Sequence, residues 1–216
     1  MGDPPDWLLE LPAKVSAGDP YFSWFVPPGS GVRQAAVLIL VGSGDRGPDV
    51  LLIERAADLR AHAGQPAFPG GAVDAADADA AAAALRETVE EVGIDPAGVD
   101  VIGVLPVLHL AVSAFAVTPV LGWWRDPAPT LRAAPAEVAA VARVPIAELV
   151  EPANRVRVRL RSGYLGPAFE VGGMLVWGFT AMVLDRLLEL AGLSRPWLPS
   201  PVRDIDRQLS APWDRR

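Results

Sequence analysis

The chain predicts an α/β sandwich built around one core, and three observations carry that reading. Short apolar runs bounded by turn residues are interleaved with two stretches of helical periodicity. Hydrophobic residues make up 51% of the 216 positions, ample for one core. No repeat and no internal linker divides the sequence.

Residues 1–34 are rich in Pro and Trp and read as an N-terminal extension docked through Trp7, Phe22, Trp24 and Phe25. The body, 35–192, opens on the apolar run 35–41, which Gly42-Ser43-Gly44 ends, as a buried strand would be ended. Residues 50–55 read as its partner strand and 42–49 as the hairpin loop. Asp74, Asp77 and Asp79 precede five alanines, 80–84, whose strong helix propensity leads into a helix closed by Gly93. Aspartate suits the cap and the positive end of that helix. Residues 99–107 and 115–124 supply two further strands, 136–141 opens a short strand or turn, and 146–149 follow Pro145 as a helical turn. Residues 155–161 alternate Arg with apolar residues, predicting a strand with one arginine face. That face is either an edge protected by charge or a phosphate-contacting surface. Gly172-Gly173 permits a hairpin, 180–191 form an amphipathic helix stopped by Gly192, and 193–216 read as an irregular docked tail.

The chemistry concentrates in Arg86-Glu87-Thr88-Val89-Glu90-Glu91-Val92-Gly93-Ile94, downstream of a Phe68-Pro69-Gly70-Gly71 turn. At roughly 100° per residue, Glu87, Glu90 and Glu91 lie within about 100° of one another, with Leu85, Val89 and Val92 nearly opposite. Three like charges held together repel, and a hard divalent cation with oxygen ligands gives the cluster a purpose. The expectation is a metal site on a helix whose far side is buried. A structural calcium site fits less well, because the flexible ligand loop such sites use is missing.

Composition removes several classes. There is no cysteine, so disulfides, thiolate nucleophiles and Cys-based zinc sites are excluded. A formal net charge of -7 argues against duplex binding, which relies on Lys and Arg. The first residues carry no basic and apolar leader pattern, and no apolar run approaches the roughly 18–20 residues of a membrane span. The expectation is a soluble cytoplasmic protein with a small-molecule substrate and no nucleic-acid or membrane partner. The oligomeric state stays open, a homodimer being among the alternatives.

Residues 71–94 resemble the Nudix box, G-x5-E-x7-R-E-U-x-E-E-x-G-U, where U is bulky and aliphatic. Arg86, Glu87, Glu90, Glu91, Gly93 and Ile94 fall in register, and Thr88 departs from the first U. Counting back, the positions for the glycine and the first acid hold Ala72 and Ala78, while Gly71 and Asp77 stand one residue earlier. Whether Asp77 or Asp79 supports Arg86 is left open. Upstream, Leu51-Leu52-Ile53-Glu54-Arg55-Ala56, then Arg60, Gly64 and Phe68-Pro69-Gly70-Gly71, resemble L-L-T-x-R-S-x3-R-x3-G-x3-F-P-G-G, the mark of the coenzyme A pyrophosphatase branch. Ile53 replaces Thr and Ala56 replaces Ser. The stretches 117–120 and 176–181 also look like segments of this branch, so the resemblance covers roughly residues 35–190.

The resemblance implies a Nudix-type α/β/α sandwich with a mixed central sheet, the Nudix domain being 35–192. It implies hydrolysis of the diphosphate of coenzyme A or its acyl derivatives to 3′,5′-ADP and (acyl-)4′-phosphopantetheine. Mg²⁺ or Mn²⁺ would be held by Glu87, Glu90 and Glu91, which suits an anionic diphosphate. Arg86, which cannot be a ligand, would pair with an acid in the preceding loop and orient the helix face. The base would be Glu90 or Glu91, and Glu137 resembles the downstream acid that serves as base or extra ligand, an ordinary solvated turn acid being the alternative. Arg55 and Arg60 would contact phosphates, or else form surface salt bridges. Gly70 and Gly71, with Gly64, would turn the backbone tightly beside the metal helix. His62 and His109 are the two histidines and weak catalytic candidates. The rivals are ADP-ribose, NADH or a nucleoside triphosphate as substrate, and a non-catalytic nucleotide-binding module.

Overall fold

The near-continuous apolar run of the first strand follows from its central place, since a strand covered on both faces cannot alternate with polar residues. This strand, β1 (Arg33–Gly44), sends Ala36, Leu38 and Leu40 to one core and Ile39 and Val41 to the other. The computed structural model describes residues 2–16, 21, 32–56, 64–110, 115–127, 131, 133–159, 163, 165–197 and 201–205. β1 pairs antiparallel with β2 (Gly47–Arg55), which also carries β3 (Pro66–Ala67). It pairs antiparallel again with β4 (Gly70–Ala72). A helix, α2 (Ala80–Val92), separates these from β5 (Val99–Val104), β6 (Leu108–Leu110) and β7 (Phe115–Trp124). β7 runs parallel to β1 from Arg33↔Phe115 to Gly42↔Trp124, and β5 and β6 are antiparallel to β7. β8 (Val138–Pro145) closes the far side against β2. The sheet is therefore mixed, as expected.

α2 covers one face through Ala83, Ala84 and Val92. The other face is covered by α1 (Asp6–Ser16), through Leu8, Leu11 and Val15, and by α4 (Gly178–Leu190), through Ala181, Val183, Leu184, Leu187 and Leu188. Between them come a short turn of helix, α3 (Ile146–Leu149), and a second sheet. That sheet has the order β11 (Met174–Val176), β10 (Leu165–Val171), β9 (Arg155–Arg159), β12 (Val202–Asp204), over a small core of Val156, Val158, Ala168, Leu175 and Ile205. Among the described residues no helix is long and apolar enough to cross a membrane.

Several expectations need correction. The 42–49 loop shrinks to a turn at Asp45 and Arg46, because both strands continue into the hairpin. The strand expected over 99–107 ends at Val104, and a further strand, β6, carries His109. A helix forms at 6–16 despite Pro12, since Leu8, Leu11 and Val15 recur at helical spacing and are buried. Phe22, Trp24 and Phe25 lie outside the described residues, while Trp7 packs against the core.

The arginine strand is not an edge. β12, within the expected irregular tail, adds a parallel strand outside β9. Nor do its arginines behave alike. Arg157 and Arg159 are exposed, but Arg155 is buried, ion-paired with Asp185 and stacked between Phe169 and Trp197 at 5.2 and 4.8 Å.

Candidate active site

Asp79 caps α2 by accepting from the Ala82 N–H at 2.8 Å, and Gly93 ends it. Asp79 is thereby committed, and the acid that meets Arg86 is Asp77. Arg86 Nε and Nη2 each donate to one Asp77 oxygen at 3.0 Å, a two-point contact matched to the guanidinium fork. Nη1 donates to Glu87 at 3.0 Å and to Glu90 at 3.2 Å, and Nη2 to the Ala72 carbonyl at 3.0 Å. All five donors of the guanidinium are thus engaged. Arg86 is clamped between loop, strand and helix, which fits an orienting role.

The buried side of α2 matches the apolar stripe only in part. Val89 is exposed and Leu85 half-buried, while Ala83, Ala84, Thr88, Glu91 and Val92 are buried. Alanines on that face let the helix approach the sheet closely, and the Thr88 hydroxyl is absorbed by the Ala84 carbonyl at 2.7 Å. The glutamates consequently differ in depth: 2% of the Glu91 side chain is exposed, 14% of Glu87 and 57% of Glu90.

β4 brings the Phe68–Gly71 turn against these acids. The Gly70 N–H donates to Glu91 Oε2 at 2.9 Å. Gly70 has φ +152, and a Cβ there would lie 2.3 Å from the Ala36 carbonyl oxygen. A Cβ on Gly71 would fall 2.4–2.6 Å from the Glu87 carboxylate. Both positions therefore require glycine, one for the backbone and one for the acid.

Arg55, at the end of β2, approaches Glu91 to 4.0 Å through Nη1, and its buried Nε has no hydrogen-bond partner among the described residues. Ala56 N–H donates to the Glu137 carbonyl and Ala134 N–H to the Glu91 carbonyl, tying the Glu137 turn to the rim of the same site. Burial pushes the Glu91 carboxyl up to about 7, against the Gly70 hydrogen bond and the Arg55 charge, with Glu87 and Glu137 adding repulsion. Burial likewise raises Glu87, with Arg86 opposing and Glu90 and Glu137 adding to the rise. Asp77 lies below its ordinary range because Arg86 and the Asp74 N–H bond its charged form.

The site thus gathers Glu87, Glu90, Glu91, Arg86, Gly70, Gly71, Arg55 and the Glu137 turn. Arg60 and His62 lie outside the described residues. His109 is in β6, on the far side of β7 from β1, and its Nδ1 is buried without a hydrogen-bond partner among the described residues. Asp77 was one of two acids the sequence left open. The Gly70–Glu91 bond had no signal beyond the motif itself.

As placed, no three such side chains among the described residues converge on one point as metal ligands would, since Glu87 and Glu90 are turned onto Arg86. The chemistry of the donor set nonetheless fits a hard divalent cation. It consists of carboxylate oxygens, two of the carboxyls, Glu87 and Glu91, having proton affinity raised by burial.

A family model described as the NUDIX domain matches residues 32–162, more than half of the chain. The chain belongs to the Nudix family. It is 53% identical over 168 residues to an uncharacterized Nudix hydrolase, NudL, of Salmonella paratyphi B, covering 72% of this chain and 81% of that one. It is 56% identical over 116 residues to the NudL of Cronobacter sakazakii, covering 54% of this chain and 59% of that one. Among solved structures, a Nudix hydrolase from M. smegmatis, RenU, aligns with a TM-score of 0.51 at 21% identity, covering 79% and 92% of the two chains. That likeness concerns the fold. Membership makes this Nudix chain a pyrophosphohydrolase, of a family that generally uses divalent metal ions and takes small nucleotide substrates.

Proposed function

We propose that this Nudix hydrolase cleaves the diphosphate of coenzyme A or its acyl derivatives, releasing 3′,5′-ADP and (acyl-)4′-phosphopantetheine, with Mg²⁺ or Mn²⁺. The observation that carries the reading is the position of the upstream motif. Arg55 and Gly70, two of its residues, both face Glu91, so the segment that resembles the coenzyme A branch lines the same carboxylates as the box.

Glu87, Glu90 and Glu91 would hold the cation, which supplies neutralisation of the diphosphate charge and more acidic water. Arg86 fixes the angle of α2 against β4 through Asp77 and Ala72. Arg55 offers an unspent N–H and a positive charge to a phosphate oxygen. Glu137, exposed on a turn tied to Ala56, would take the proton from water, and Glu90 or Glu91 is the alternative base. Arg60 is assigned to phosphate by its place in the motif alone.

The test is turnover of coenzyme A, 3′-dephospho-coenzyme A, ADP-ribose and NADH with Mg²⁺ or Mn²⁺, with products identified. Preference for coenzyme A is expected. Equal rates with and without the 3′-phosphate would remove Arg55 and Arg60 as its readers, and turnover of ADP-ribose alone would sink the substrate. Glu90→Gln and Glu91→Gln should each abolish turnover, and retained turnover would reject their assignment.

A further inference from the structure

The segment 176–181 resembles part of the branch pattern, yet none of it touches the carboxylates. Its geometry shows where it acts. Trp177 is extended and Gly178 has φ +64, a left-handed residue that starts α4 abruptly. Two residues on, Thr180 is buried, and its Oγ1 donates to the Pro66 carbonyl at 3.2 Å. Thr180 thus reaches out of its own helix to the opposite end of the active-site loop.

Pro66 belongs to β3, a two-residue strand paired with the end of β2 on the side away from β8. The Gln65 carbonyl accepts from the Arg55 N–H and points toward β2, so by strand alternation the Pro66 carbonyl points away from it. Proline has no N–H to add to the ladder. The outward carbonyl is met by Thr180. From there the chain continues through buried Phe68 to Pro69, whose carbonyl accepts from Leu38 N–H at 2.8 Å. Next comes Gly70, whose N–H holds Glu91. The anchor and the Glu91 hydrogen bond stand on one short segment, which β3 ties to β2, and the Pro69 carbonyl and β4 tie to β1.

We propose that Thr180 is a positioning residue of the hydrolytic site. By fixing the Pro66 carbonyl, it completes the ties of β3, Pro69 and β4 that hold the Phe68–Gly71 turn and thereby the Gly70 N–H that orients Glu91. α4, on the far face of the sheet from α2, is in this way a strut under the catalytic loop. The proposal rests on Glu91 being part of the site and is independent of coenzyme A being the substrate.

The experiment compares Thr180→Val, Thr180→Ser and, as a stability control in the small sheet, Val158→Ala. Hydrogen exchange in the metal-free protein should rise about tenfold over residues 68–72 in T180V, with 155–159 unchanged. T180S, which keeps the hydroxyl, should exchange like wild type. On the best substrate, T180V should lose roughly tenfold or more in kcat with little change in KM. T180S and V158A should keep wild-type kcat. Unchanged exchange and kcat in T180V would overturn the proposal. So would a loosened turn in T180S, which decides the matter even if T180V does not fold. Absence of coenzyme A turnover in wild type would reject the substrate alone, because the exchange contrast is read without it.

Discussion

Glu91 is a buried acid without adequate positive charge, and the consequence is measurable in the metal-free protein. Burial lifts its carboxyl from the ordinary 4.5 to about 7, so the folded state holds the proton more tightly than the unfolded chain does. The stability this contributes is fully present below about pH 4.5 and is lost as pH rises through about 7. At roughly 1.4 kcal/mol per tenfold change in proton affinity, the loss is about 3 kcal/mol. In Glu91→Gln no charge is buried, and an amide oxygen can still accept from the Gly70 N–H. The variant should therefore overtake wild type in stability across about pH 4.5 to 8, by an amount growing to about 3 kcal/mol. Urea unfolding in the presence of a chelator, at several pH values in that window, measures the difference directly. Glu87, Asp49 and Asp185 are also raised by burial and push the same way, but they are common to both proteins and largely cancel. Parallel pH profiles for the two proteins would refute the reasoning. Added Mg²⁺ near neutral pH should restore wild type more than the variant.

The two loop glycines should fail differently. Gly71→Ala meets only the end of the flexible Glu87 side chain, so melting should change little while kcat falls on the order of 100-fold. Gly70→Ala meets the Ala36 carbonyl and Val37 Cα, and should cost roughly 3 kcal/mol or more in thermal unfolding. The two aspartates should separate as well. Asp77→Asn, which frees one side of Arg86, should lower kcat about tenfold at near-normal KM, whereas Asp79→Ala should cost about 1 kcal/mol of stability and leave kcat alone. Leu11→Ala, in a helix that belongs to the core, should lose about 2–5 kcal/mol by urea titration.

Much of the architecture was readable in the chain because its determinants are local. The apolar runs of β1 and β7 announce strands buried on both faces, and alanines with an aspartate cap and a terminal glycine announce α2. The misreadings came where one local signal was overruled at a distance. Of the stripe Leu85, Val89 and Val92, the sheet covers Val92 and part of Leu85 but leaves Val89 exposed, because it packs on the side bearing Ala84, Thr88 and Glu91, where small residues permit close approach. Period-two arginines left an edge among the readings, because nothing local reveals that β12, more than forty residues later, lies outside them.

That three glutamates share a helix side beside a glycine turn follows from residue order alone, since spacing within one helix depends on nothing but helical geometry. Only the tertiary structure decided that Glu91 is buried and Glu90 exposed, that Arg86 takes Asp77 while Asp79 caps, and that Thr180 braces a strand 114 positions away. Depth, partner choice and bracing are properties of the folded path, because they depend on which surfaces the rest of the chain brings into contact.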